Sequence, residues 1–202
     1  MSGDDSEEEF DFNDSYLGTP PWDIGRPQPA LVELEATGVI SGAVLDVGCG
    51  TGENALHYAD RGHSVLGVDA AENAIAKARE KAKNRGLSDR VRFEVHDAFD
   101  LASLGEQFDT ITDCGLFHVF GSEVAVAYGE SLNTALKPGG RYVMLGFSER
   151  DGRIGPSTNE AIIRRAFGEG WRIDEIRETT FETTDPAMYN HHALLAVVTK
   201  AN

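Results

Sequence analysis

The sequence predicts a single α/β domain built on a mostly parallel sheet with helices on both faces. Three observations carry that expectation, the first two being short apolar runs and their alternation with helical stretches. Short, mostly apolar runs such as Val44-Leu45-Asp46-Val47 and Ser64-Val65-Leu66-Gly67-Val68 alternate with longer helical stretches. Apolar strands that alternate with helices belong to parallel sheets covered on both faces. The third observation is the run Gly48-Cys49-Gly50-Thr51-Gly52, a glycine turn placed between a strand and a helix. Strands are predicted near 43–47, 64–68, 91–95, 108–113 and 140–147, with two more near 172–178 and 192–199. Helices are predicted near 30–37, 52–61, 71–84, 122–135 and 158–166, and Lys137-Pro138-Gly139-Gly140 reads as a turn from helix to fifth strand.

Ahead of this pattern, residues 1–30 form a separate segment, an acidic tail followed by a stiff cover; residues 31–202 form the domain. The tail clusters Asp4, Asp5, Glu7, Glu8, Glu9 and Asp11, and its first residues are expected to be disordered. Phe10, Phe12 and Tyr16 interrupt the acids. They are expected either to fold down over a pocket as a lid or to patch the surface. Gly18 to Pro29 is extended, because each proline restricts the residue before it.

With 202 residues the chain can bury a real core, and its net charge of −16 argues against a nucleic-acid partner, which needs clustered Lys and Arg. No apolar run is long enough to span a membrane, and the acidic start is unlike a signal peptide, so a cytoplasmic location is expected. Cys49 and Cys114 are too few for a disulfide framework and read as small buried fillers beside the ligand. No metal-ligand cluster is read from the sequence, and a monomer or homodimer is expected.

The glycine turn bears on the ligand. A dinucleotide fingerprint spaces its glycines G-x-G-x-x-G, but here the spacing is G-x-G-x-G and Glu53 stands at the expected third position. Glu53 and Asp46 would set two carboxylates beside a phosphate, which disfavours a nicotinamide oxidoreductase. They suit a cationic ligand without phosphate, such as S-adenosylmethionine. Asp69, at the end of the second strand and followed by Ala70, is placed to accept hydrogen bonds from ribose hydroxyls.

Glycine turn and ribose acid together resemble the class I S-adenosylmethionine-dependent methyltransferases over residues 40–147. The resemblance implies a Rossmann-like, doubly wound sheet of seven strands with an antiparallel last strand. It implies that Asp46, Gly48, Gly50, Gly52, Asp69, Ala70 and Asp113 hold the cofactor, with Asp97 at the adenine amino group and Ala98 at the purine edge. The segment Asp113-Cys114-Gly115-Leu116-Phe117-His118 lacks the Asn/Asp-Pro-Pro-Tyr/Phe sequence usual in enzymes that methylate amide or exocyclic nitrogens of protein or DNA. It offers an aromatic wall in Phe117 and a titratable ring in His118, which either orients or deprotonates an acceptor or packs as a core histidine.

Pro20 to Pro29 is similar to the N-terminal segment of small-molecule methyltransferases of the thiopurine, halide/thiol and bacterial heterocyclic-toxin types. That similarity places Trp22 against the cofactor and Arg26 at the cofactor carboxylate or an acidic substrate. Phe12, Tyr16, Phe117, His118 and Phe147 are assigned to the substrate side. The expected reaction is in-line transfer of a methyl group to an S, N or O atom of a heterocyclic, thiol or phenolic acceptor. The alternatives are a quinone or phenol O-methyltransferase of intermediary metabolism and a non-catalytic regulator that binds the same cofactor.

Overall fold

The apolar runs pair into one seven-stranded sheet in the order β3-β2-β1-β4-β5-β7-β6. The computed structural model describes residues 11–150, 155–185 and 191–202. The strands are β1 (Ala43–Val47), β2 (Ser64–Asp69), β3 (Val91–Val95), β4 (Phe108–Cys114), β5 (Leu136–Phe147), β6 (Trp171–Phe181) and β7 (His191–Lys200). Helices are α1 (Phe12–Ser15), α2 (Pro29–Ala36), α3 (Glu53–Asp60), α4 (Glu72–Asn84), α5 (Ser122–Ala135) and α6 (Glu160–Ala166).

β1 pairs in parallel with β2 and β4, so Val44, Leu45 and Val47 are buried on both faces. That position explains its lack of polar alternation. One apolar cluster gathers Leu31, Leu56, Ile75 and Phe93 with Val143 and Val197. The other, on the opposite face, gathers Leu66, Ile111, Tyr128, Leu132, Phe167 and Val198. β7 runs antiparallel between β5 and β6, with Val143 opposite Val197, so the expected antiparallel last strand is present.

The Lys137–Gly140 turn lies within β5. Leu136 pairs with Phe108, and pairing resumes at Arg141 opposite Thr110, so the intervening residues bulge outward. The cover segment contributes an α-helix that the sequence did not predict, α1, in which Asp11 caps the N–H groups of Asn13 and Asp14. The acidic residues before it, with Phe10, lie outside the described residues. Among the described residues no helix is long and apolar enough to cross a membrane.

Strand order reverses between β1 and β4. In open α/β sheets a crevice opens at that point, beyond the carboxyl ends of the strands. The glycine turn leaves β1 there and residues 115–120 leave β4 there.

Candidate active site

A cleft of about 1140 Å³ fills this crevice, roofed by residues 11–28. Its floor is the glycine turn. Gly48, Gly50 and Gly52 have φ of +66°, +53° and +84°, dihedrals that L side chains rarely adopt. A Cβ at Gly50 would stand 2.8 Å from the Tyr16 hydroxyl oxygen, and one at Gly52 2.6 Å from the Phe93 ring. The turn is therefore kept bare both towards the roof and towards the sheet.

Asp69 faces the turn. Its Oδ2 accepts the Gly50 N–H at 2.8 Å and its Oδ1 the Ala71 N–H at 2.9 Å, which fixes the carboxylate plane. Burial raises its pKa, and these two hydrogen bonds oppose the rise. Each oxygen keeps acceptor capacity for a second donor. Ala70 and Ala71 continue this wall, and Asp97, Ala98 and Phe99 form the next, with the Asp97 side chain accepting the Phe99 N–H at 2.9 Å.

The roof is tied to the floor. Trp22 Nε1–H donates to the Tyr16 hydroxyl at 3.0 Å, and Phe12 lies 6.1 Å from the Trp22 ring. Tyr16 is buried, and burial followed by the nearby Asp69 charge raises its pKa. Asn13 Oδ1 and carbonyl O accept from the main-chain and side-chain N–H of Asn73 at 2.9 and 3.1 Å, docking α1 on α4. Thr51 donates to Asp23 at 2.7 Å and accepts from Lys81 at 2.6 Å.

At the far end the walls are aromatic. Phe147 stands 4.9 Å from His118 and 4.5 Å from Phe181, ring centre to ring centre. Phe120 and Phe99 pack together at 5.1 Å on the same cleft. His118 is buried, and its Nδ1 accepts the Phe147 N–H at 3.1 Å. Cys49 and Cys114 line the cleft as free thiols, and burial pushes both pKa values up, so they stay protonated.

Four expectations are corrected. Asp46 is 1% exposed and lies off the cleft wall; it accepts from Thr112 Oγ1 at 2.7 Å inside the sheet. Burial pushes its pKa up to about 7. Asp113 is also buried away from the wall, taking the N–H groups of Leu116 and Phe117 and the hydroxyls of Tyr128 and Tyr142. It shapes the turn that delivers His118 and does not face the cleft. Phe117 points to the core, stacked on Phe167 at 5.8 Å, and Phe120 and Phe181 stand on the cleft wall instead. The Glu53 carboxylate is paired with Lys81 at 2.7 Å and Arg85 at 2.9 Å, so its charge is already compensated.

Trp22, Gly48, Gly50, Gly52, Asp69, Ala70, Asp97, Ala98, Phe12, Tyr16, Arg26, His118 and Phe147 all line the cleft. Arg26 does so as half of an ion pair with Glu182. Sequence reading passed over Asp23, Thr51, Gln28, Phe99, Phe120 and Phe181. Asp23 and Gln28 lay in the proline segment and Thr51 in the glycine turn, so these three carried a signal.

A bare glycine turn, a carboxylate with spare acceptor capacity and a roof of aromatic rings fit S-adenosylmethionine. Comparison with known proteins agrees. The profile of the methyltransferase domain family matches residues 44–140. The chain is 37% identical over 177 residues to the 2-heptyl-1-hydroxyquinolin-4(1H)-one methyltransferase of Mycobacteroides abscessus, covering 82% of this chain and 78% of that one. It is 32% identical over 138 residues to probable thiol methyltransferase 2 of Arabidopsis thaliana, covering 67% of this chain and 61% of that one. A solved structure described as "Conversion of a Disulfide Bond into a Thioacetal Group during Echinomycin Biosynthesis" superposes with a TM-score of 0.83 at 39% identity, covering 91% of this chain and 85% of that one. Magnesium protoporphyrin IX methyltransferase of Synechocystis shares the fold, with a TM-score of 0.67 at 23% identity over 85% of this chain and 76% of that one. The protein belongs to the S-adenosylmethionine-dependent methyltransferases of the small-molecule type.

Proposed function

We propose that the protein methylates a small, largely apolar acceptor that carries an acidic S–H, N–OH or phenolic O–H group. One observation carries this reading: the cleft runs unbroken from Asp69 and the glycine turn to the His118, Phe147 and Phe181 rings. A blocked acceptor end would have favoured a non-catalytic regulator. The hydroxyquinolinone and thiol methyltransferases among its relatives support an acceptor of that chemistry. Within the N-terminal segment of residues 1–30, the described residues 11–30 act as a cover over the domain of residues 31–202.

When bound, S-adenosylmethionine supplies a methyl group already activated by its sulfonium. The protein's own residues then need mainly to orient and to exclude water, and orientation is worth roughly 7–11 kcal/mol. Asp69 would hold the ribose hydroxyls, Asp97 and Ala98 would meet the adenine edge, and Trp22 with Tyr16 would close over the site. Asp23, whose Oδ1 accepts the Gly25 N–H and whose Oδ2 accepts from Thr51 and stands 3.9 Å from Lys81 Nζ, would take the cationic amino group of the methionine moiety as a further partner.

His118 acts here as a hydrogen-bond donor. Its Nδ1 accepts the Phe147 N–H, so the neutral ring carries its proton on Nε2. A ring in that state carries its hydrogen on Nε2 and has no lone pair left to take a proton from the acceptor. The acceptor therefore reacts as a thiolate, N-oxide anion or phenolate, and the phenol O-methyltransferase reading falls within the same chemistry.

The test is release of S-adenosylhomocysteine across thiols, phenols and N-hydroxy heterocycles of graded acidity. Rates that rise with the ionised fraction of an apolar acceptor are expected. Turnover confined to large polar acceptors, or absent with every class, would overturn the reading.

A further inference from the structure

Gln28 is a buried polar side chain, 3% exposed, whose amide is spent on a single residue of a distant strand connection. Its Nε2–H donates to the Glu182 carbonyl at 2.8 Å, and the Glu182 N–H donates to its Oε1 at 3.0 Å. The side-chain amide thus closes a two-bond ring of the kind that neighbouring strands make with each other. The Gln28 main-chain N–H is held in turn by Asn54 Oδ1 at 3.0 Å, next to the glycine turn. The Thr184 N–H donates to the Pro21 carbonyl at 2.8 Å and Arg26 pairs with Glu182, so the contact extends along the cover.

What this clamp fixes is the acceptor wall. Phe181 immediately precedes Glu182 and ends β6, and its ring stands 4.5 Å from Phe147 and 6.3 Å from His118. The cofactor half of the cover has separate anchors: Asn13 on Asn73, Gly18 on Lys77 at 2.6 Å, and Asp23 on Thr51. The cofactor half of the cover is thus held by α4 and the glycine turn as well as by Thr184, whereas the Gln28 side chain is spent on Glu182 alone.

We infer that Gln28 is a positioning residue that sets the width of the acceptor end of the cleft, and so the size of acceptor admitted, without setting cofactor affinity. This rests on the methyl-transfer reading above. Methionine keeps the volume and removes both hydrogen bonds, which leaves the half-buried Glu182 N–H and carbonyl without their Gln28 partners. In Gln28→Met, KM for a small planar acceptor should rise tenfold or more. The dissociation constant for S-adenosylmethionine should stay within twofold, and discrimination between small and bulky acceptors should flatten. Gln28→Glu keeps the bond from the Glu182 N–H but sets a carboxylate oxygen against the Glu182 carbonyl, so it too should raise KM.

Hydrogen exchange at residues 181–185 supplies a readout that needs no turnover. It should quicken in the folded variant while β1 and β4 stay protected. Unchanged exchange there, or equal losses of cofactor and acceptor affinity, would overturn the inference. Failure of every acceptor with wild-type protein would overturn the methyl-transfer reading and leave the clamp to be judged by exchange and cofactor binding. Should Gln28→Met fail to fold, Gln28→Glu carries the same measurements.

Discussion

The main-chain N–H of Phe147 donates to Nδ1 of His118 across 3.1 Å, joining the end of β5 to the turn after β4. Gly146 allows this approach, since a Cβ there would stand 3.2 Å from the His118 Cβ and 3.3 Å from Nδ1. The bond places the ring against Phe147 and assigns its tautomer together. Removal of a general base costs most where a proton must be taken; removal of a donor costs most where negative charge must be held.

His118→Gln should therefore lower kcat/KM about ten- to hundredfold for an acceptor ionised at the assay pH, the size of one hydrogen bond to a charged atom. The loss should be no greater for an acceptor still protonated. The pH profile should follow the acceptor's own pKa in both proteins. A loss confined to protonated acceptors would restore the general-base role.

Asp69→Ala should weaken S-adenosylmethionine binding at least tenfold, about 1.4 kcal/mol, measured calorimetrically. Its carboxylate is held in place by the Gly50 and Ala71 N–H groups, so its removal also loosens the turn. Asp69→Asn retains one carbonyl oxygen and should fall between. Unchanged affinity in a folded Ala variant would remove Asp69 from the cofactor site.

Deletion of residues 1–17 should leave the sheet folded, because β1 to β7 all lie beyond it. It removes Tyr16 from Trp22 and Asn13 from Asn73. Methyl transfer should fall by more than tenfold while the cooperative thermal transition persists, since a closed cover excludes water and completes the site. Full activity in the truncated protein would make the segment a mere appendage.

What the sequence showed and hid follows from geometry. β1 and α5 match their expected limits, because a doubly buried strand is a mostly apolar run, here broken only by Asp46, and a long helix shows its period several times. α1 has four residues, too few to display any period, and depends on the Asp11 cap. Asp69 was legible because it ends a strand that points at the glycine turn. Asp46, Asp113 and Phe117 misled because a motif fixes a residue's place along the chain and not the side to which it turns. Glu53 misled for another reason: Lys81 and Arg85, which neutralise it, lie at the far end of α4 and just beyond it, distant along the chain.

Asp46 yields the last prediction. Oδ1 accepts from Thr112, Oδ2 has no partner among the described residues, and burial lifts the pKa from 3.8 to about 7. The folded state therefore holds this proton more tightly than the unfolded chain. The resulting stabilisation is fully present below the unfolded value and is lost as pH rises through about 7. Above that, a buried carboxylate must be carried ionised. Asp46→Asn keeps an oxygen for Thr112 and never ionises. Denaturant unfolding of the ligand-free proteins should show Asp46→Asn gaining more than about 1 kcal/mol on wild type between about pH 5 and pH 8, because a tenfold difference in proton affinity between the folded and unfolded states is worth about 1.36 kcal/mol. Asp113, pushed up to about 6 by its own burial, is present in both proteins and cancels to first order in the difference. A wild-type-minus-variant difference that stays flat across this range would mean that Asp46 titrates as an ordinary carboxylate.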